Sequence, residues 1–338
     1  MSQSSRLLLG LMFLTGVAGV FFWQDAQQLL LQPLTLTQQE RFEVGLGKNF
    51  PAVLTALQSR GIFAAERLPR YLEVYARVTG RASALKAGEY ELMPGMNSFD
   101  LLALVVSGKT VLHELRLIEG WTFAEARSAI SASNELVHTL KDVDGDRVMT
   151  MLGRPELHPE GQFFPDTYRF PKGTTDVAFL RRAFSEMGRV LEQEWTLRQP
   201  DLPYHSPEEA LIMASIIEKE TGVPAERAQI AGVFVRRLLK GMKLQTDPTV
   251  IYGMGLDFDG KLRRRDLETD TPYNTYTRLG LPLSPICLPG RASLHAALHP
   301  AAGNSLFFVS RGDGTHQFSD TLDQHNSAVQ RFQLRRHQ

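Results

Sequence analysis

A single cysteine, Cys287, stands in a chain of 338 residues, which leaves no internal disulfide and no cysteine-built zinc site. Net charge is missing too. Thirty-seven basic residues balance thirty-seven acidic ones, so the broad positive field that nucleic-acid binding draws on is absent, and runs such as "LRRRD" read as solvated faces. No low-complexity tract and no repeat at solenoid periods occurs. There is no G-x-S-x-G, no Walker A loop and no strand-borne G-x-G-x-x-G, which removes serine esterase, nucleotide and dinucleotide readings. "DVDGD" (Asp142, Asp144, Asp146) begins like a calcium loop, but Arg147 stands where glycine is needed and Gly153 where a bidentate glutamate is needed, so it reads as a turn. His295 and His299 are spaced i, i+4 on an expected helix without an H-E-x-x-H frame. No metal or cofactor is expected.

What is present is enough apolar residue, 43% of the chain, to bury a substantial core, and the length suits two folded units. "RLLLGLMFLTGVAGVFFW" runs from Arg6 into an uncharged stretch, Leu7 to Trp23, at the lower limit of a bilayer span. Positive-inside bias puts the N-terminus in the cytoplasm and everything after Gln24 outside. The apolar run continues through Val20, Phe21, Phe22 and Trp23 past the small residues Gly16, Ala18 and Gly19, which favours an uncleaved anchor over residues 1–25 rather than a signal peptide. A polar connector, 26–40, follows. Over 41–108, "RFEVGL" and "GEYELM" read as strands, and "FPAVLTALQSRG", "LPRYLEVYARVTG" and "NSFDLLALVVSG" as helices closed by Gly61, Gly80 and Gly108. This is a small βααβ module with an added helix. Residues 109–338 read as a larger mixed α+β domain: a strand in "TVLHELRLI", a capping box at Thr122 and Glu125, the aromatic loop "PEGQFFPDTYRFPKGT", two helices, a long turn-rich run and a strand in "SLFFVSR".

The first of those two helices, in "SPEEALIMASIIEKETG", has Ser206 as its cap, Pro207 in the first position, Glu209 to complete a capping box and Gly222 as its stop. Ala210, Leu211, Met213, Ala214, Ile216 and Ile217 leave it no polar face, so protein surrounds it. Glu218 falls between Ala214 and Leu211, and Glu220, about 200° away, lies beside Met213 and Ile216. Periodicity does not choose between them. A carboxylate on such a helix either pairs, with Lys219, Arg227 or Arg237 in reach, or has its pKa raised and becomes a general acid. The loops beyond carry Gln245, Thr246, Asp247, Tyr252, Asn274 and Tyr276, a mixture that suits a sugar or glycopeptide. Asp247, Asp270 and Asn274 can equally tie turns.

Five ordered blocks, "GQFFPDTY", "ASIIEKET", "GMKLQTDPTVIYG", "DTPYNTYTRLGLP" and "HQFSDTLDQHN", resemble the YceG-like family of endolytic murein transglycosylases over about Glu114 to Asn326. "LKAGEYELMPGMNSFDLLALVVSG" is similar to the LysM-like domain of that family. In "LPLSPICLPG", Leu283, Ser284 and Leu288 depart from the family's usual proline, glycine and asparagine. The resemblance implies a single N-terminal anchor in the cytoplasmic membrane and cleavage of the β-1,4 bond between N-acetylmuramic acid and N-acetylglucosamine without water. It further implies 1,6-anhydro ends and a role in limiting nascent strands, with cell-wall synthases nearby. It places the catalytic glutamate at Glu218; the loop residues Gln245, Asp247, Tyr252, Asn274 and Tyr276, read from their own chemistry, are the expected substrate contacts. Two rival readings fit the same residues. One is a hydrolytic muramidase in which Asp247 or Asp166 activates water; the other is a non-catalytic, membrane-tethered glycan-binding scaffold.

Overall fold

The computed structural model describes Gly19 and residues 22–334. Most of the expected anchor, Leu7 to Trp23, lies outside the described residues, and among those described no helix is long and apolar enough to cross a membrane. The chain divides into two units, one reaching His113 and taking in Phe170–Gly173, the other comprising Glu114–Arg169 and the chain from Thr174 onward.

In the first unit, β1 (Glu40–Val44) pairs antiparallel with β2 (Gly88–Leu92), placing Phe42 opposite Tyr90. Alternation along both strands turns Phe42, Val44, Tyr90 and Leu92 inward. Between the strands run α1 (Phe50–Ser59) and α2 (Leu68–Val78), and α3 (Ser98–Ser107) follows β2. This is the expected βααβ order with its added helix. Asn97 and Asp100 form a capping box at the start of α3, and Gly61, Gly80 and Gly108, just past the three helix ends, have φ values of +71°, +70° and +74°. Tyr90 is fully buried because its hydroxyl has partners, the carbonyls of Lys86 and Val105. The expected connector is less detached than its composition implies: backbone is helical over 22–31, and Leu29, Leu30 and Leu34 enter this unit's core.

The second unit holds α4 (Phe123–Ala132), β4 (Leu136–Val137), α5 (Gly145–Met151) and β6 (Thr174–Thr175), together with parts of β3 (Leu112–Arg116) and β5 (Thr167–Pro171), both of which straddle the boundary. It continues with α6 (Asp176–Thr196), α7 (Pro207–Glu220), α8 (Arg227–Leu239), α9 (Asp247–Met254), α10 (Arg264–Glu268), α11 (Arg291–Leu298), β7 (Phe307–Ser310), β8 (His316–Ser319) and α12 (Leu322–Val329). Mixed α+β character is thus observed, with only two-stranded sheets among the described residues. Helix α7 lies at the centre, packed on α6, α8, α9 and α11. Its residues 210–217 are all buried, as the missing polar face requires. The Ser206 hydroxyl accepts the Glu209 N–H, while the Glu209 carboxylate accepts from His205 rather than from the cap itself. The helix ends at Glu220, two residues before Gly222, where Thr221 turns extended.

Candidate active site

The end of α7 presents its two glutamates to different surroundings. Glu218 accepts the Gly290 backbone N–H at 2.9 Å, and its other oxygen lies 3.8 Å from the Arg227 guanidinium, with the side chain 7% exposed. Beside it, Glu119 is packed so closely that a Cβ on Gly290 would overlap its carboxylate. Burial pushes the Glu119 carboxyl up, the Glu218 charge adds to this, and Arg227 and Arg116 oppose it. The loops carrying these residues are themselves joined, Gly120 N–H to the Leu288 carbonyl at 2.9 Å and Leu288 N–H to the Trp121 carbonyl at 2.7 Å. Pairing with Arg227, one of the partners considered from sequence, is therefore what the structure shows for Glu218.

Glu220 instead lines the wall of a cavity of about 640 Å³, together with Arg237, Gln245, Asp247, Tyr276, His316, His325 and Asn326. Glu218 does not line it. Burial raises the Glu220 carboxyl to about 7, and Asp247 adds to the shift; the Thr246 hydroxyl, which donates to Glu220 Oε1, and His316 oppose it. A carboxyl poised there can give a proton at neutral pH and take one back. His316, on β8, is held by Glu226, which accepts its backbone N–H at 2.9 Å and sits 2.7 Å from Nδ1.

The two loops expected to form the site are zipped together through Thr275: its carbonyl accepts the Gln245 N–H at 3.2 Å and its hydroxyl accepts the Thr246 N–H at 3.1 Å. That zipper leaves Gln245 and Asp247 exposed in the cavity wall, with the Tyr276 hydroxyl donating to Asp247. Gln245 holds a left-handed φ of +51°, which a side-chain-bearing residue adopts at a cost and which is common at functional sites. Its side-chain oxygen accepts from Arg237 at 3.3 Å.

Two expected contacts lie elsewhere. Tyr252 donates to Glu160 at 3.0 Å, away from the cavity. Burial raises that Glu160 carboxyl to about 7 as well, against the N–H groups of Phe123 and Gly161 and the Tyr252 hydroxyl. Asn274 is fully buried; its amide donates to the carbonyls of Leu267 at 3.0 Å and Thr269 at 2.6 Å, and its oxygen accepts the Tyr276 N–H at 2.8 Å. It ties a turn, because an amide with both its donors and its acceptor engaged inside one loop has nothing left for a sugar. Asn274→Ala should lower Tm and activity together, by about 1 to 3 kcal/mol for each buried group left unpaired, whereas Gln245→Ala should lower activity with Tm nearly unchanged. Thermal melts and turnover on the same samples check both.

Asp166, the other acid considered for activating water, is exposed and does not line the cavity. His295 and His299 stack at 4.1 Å near Glu194, and ligand atoms of the three lie within 4.8 Å of one another. Each is engaged by protein: Glu194 by Arg291 and His295, both at 2.9 Å, and His299 by the Leu197 carbonyl at 2.8 Å. Cys287 is buried, its thiol pushed well up by burial, and it contacts the Ser215 carbonyl at 3.3 Å.

Arg237, His316, His325 and Asn326 were not among the expected site residues. The last three fall in "HQFSDTLDQHN", a block singled out in the sequence without roles assigned to its side chains.

Comparison with known proteins gives the family of the chain. An endolytic murein transglycosylase of Bacillus subtilis (strain 168) is 29% identical over 94% of this chain and 91% of its own length. One of Streptococcus pneumoniae serotype 2 is 24% identical over 94% of this chain, which spans only 62% of that longer relative. A crystal structure of a yceG-like protein from Listeria monocytogenes, 30% identical, superposes with a TM-score of 0.56 over 86% of this chain and 99% of its own. The model of the YceG-like family matches residues 42–331, and the chain belongs to that family.

Proposed function

We propose that this chain is an endolytic murein transglycosylase, a lyase that cuts the MurNAc-β-1,4-GlcNAc bond within glycan strands and leaves 1,6-anhydro-MurNAc ends. The observation that carries the reading is the screened Glu220 carboxyl, near pKa 7, set among Gln245, Asp247 and Tyr276 in a cleft large enough for sugar rings. We accordingly assign the acid to Glu220 in place of the expected Glu218, whose partners, a backbone N–H and a guanidinium, are those of an anchored carboxylate.

Protonated Glu220 donates to the glycosidic oxygen as the bond from C1 of the muramoyl ring breaks and its electron pair leaves with that oxygen. The positive charge left on the ring is stabilised by the Asp247 carboxylate. Ionised Glu220 then takes the proton of the muramoyl 6-hydroxyl as that oxygen attacks C1 and closes the anhydro ring. No water is consumed. The relatives' names support this outcome. The position of Asp247 in the same wall favours one second reading, a muramidase in which Asp247 activates water.

The same reading places the chain in the cytoplasmic membrane through residues 7–23 with both units outside, the first as a LysM-like module that holds glycan. There it shortens nascent strands beside the synthases that make them. Reducing-end analysis of digested peptidoglycan tests the chemistry. Anhydro ends are expected; free reducing ends support the muramidase, and no new ends would leave only a binding scaffold.

A further inference from the structure

An enzyme that cuts inside a strand must accommodate what hangs from the strand on either side of the cut, and in peptidoglycan every muramoyl residue is able to carry an acidic stem peptide. Adjoining the Glu220 cleft is a second hollow of about 540 Å³, lined by Lys243, Arg264, Leu267, Glu268, Tyr276 and Thr277. Leu267 and Tyr276 belong to both walls, so the two spaces meet across those side chains. Its charges are not alike. Arg264 is matched by Glu268 at 2.8 Å, i, i+4 on α10, whereas Lys243 has no ion pair among the described residues. The hollow therefore carries one uncompensated ammonium, on a segment whose backbone is fixed by Arg237 through the Lys243 and Leu244 carbonyls at 3.1 and 2.9 Å. A cation on a fixed segment and an apolar Leu267 face make a receptor for a short peptide bearing carboxylates, while the Thr277 hydroxyl is already engaged, donating to Asp270 at 2.7 Å.

We infer that this hollow is the stem-peptide subsite of the cleft, with the Lys243 ammonium recognising a peptide carboxylate while the attached muramoyl ring sits against Glu220. The inference rests on the proposed glycan cleavage and adds to it a preference for peptide-bearing strands. The test compares kcat/KM of the full chain in detergent on uncrosslinked strands with their peptides and on the same strands stripped by an amidase. Free stem peptide is titrated calorimetrically alongside. Lys243→Glu should lower the ratio of the two kcat/KM values at least ~5-fold, the scale of one reversed surface charge contact, and weaken peptide binding by a similar factor. Lys243→Arg should keep both. An unchanged ratio and unchanged peptide binding in Lys243→Glu, with Tm equal to that of the parent, would overturn the subsite. So would inorganic pyrophosphate binding there more tightly than the peptide. If the parent chain opens neither substrate, the cleavage reading falls, and the calorimetric titration still decides whether Lys243 holds a peptide.

Discussion

Glu220→Gln lowers turnover at least ~10²-fold, the usual scale for loss of a general acid, and leaves the protein folded. The amide still accepts the Thr246 hydroxyl, and it removes a charge that burial already disfavours. On the proposed assignment the active form of the parent enzyme is the one with Glu220 protonated. With the carboxyl raised to about 7, kcat/KM is present below that pH and falls as pH rises through it. Glu218→Gln gives the contrasting result: its amide oxygen keeps the Gly290 N–H, Arg227 loses its anionic partner, and the effect appears mainly as a lower Tm. Steady-state rates across pH 5 to 9 with melts of both variants separate the two acids. Loss of activity in Glu218→Gln with a working Glu220→Gln would return the role to Glu218.

The largest stability effect is expected at Arg237, 7% exposed near the end of α8. Its guanidinium donates to the carbonyls of Leu306 at 2.6 Å, Leu244 at 2.9 Å and Lys243 at 3.1 Å, and lies 5.0 Å from the Phe307 ring centre. One side chain thus holds the 243–245 segment and the entry to β7 on the same helix. Arg237→Met keeps the apolar stem but strands three carbonyls, which should cost about 3 to 5 kcal/mol and lower Tm by about 10 °C in a unit of this size. Arg189→Met, which breaks an exposed pair with Glu186, is the control and should stay within about 0.5 kcal/mol. A Tm for Arg237→Met close to that of the control would show that those carbonyls find water instead.

Much of this molecule was legible in its sequence where local rules decide. The three helices ended by Gly61, Gly80 and Gly108, the Thr122 and Glu125 capping box and the buried face of α7 follow from periodicity and terminus chemistry that neighbouring residues carry themselves. What could not be read is whatever depends on partners distant in the chain. Glu218 and Glu220 sit on equally apolar sectors of one helix; only the approach of Gly290 to one and of Thr246 and Asp247 to the other tells them apart. Asn274 and Gln245 are both amides in turn-rich loops. Three carbonyls close around one of them, and the other is left in the cavity wall. The leucines of 26–40 looked like part of a connector because their burial partners, α1 to α3, lie further along the chain.

The cleft draws its walls from widely separated parts of the polypeptide: Glu220 from the end of α7, Gln245 and Asp247 from the following loop, and His316, His325 and Asn326 from β8 and α12. During synthesis, the helix with its carboxyl leaves the ribosome roughly a hundred residues before the hairpin and terminal helix that close the cavity and supply His316. Until then Glu220 faces an unfinished groove, and the water exclusion that raises its pKa is incomplete. On the proposed assignment, the order of elements along the chain therefore acts as a timer: the acid is made early, and a working cleft arrives only once β8 and α12 have followed it.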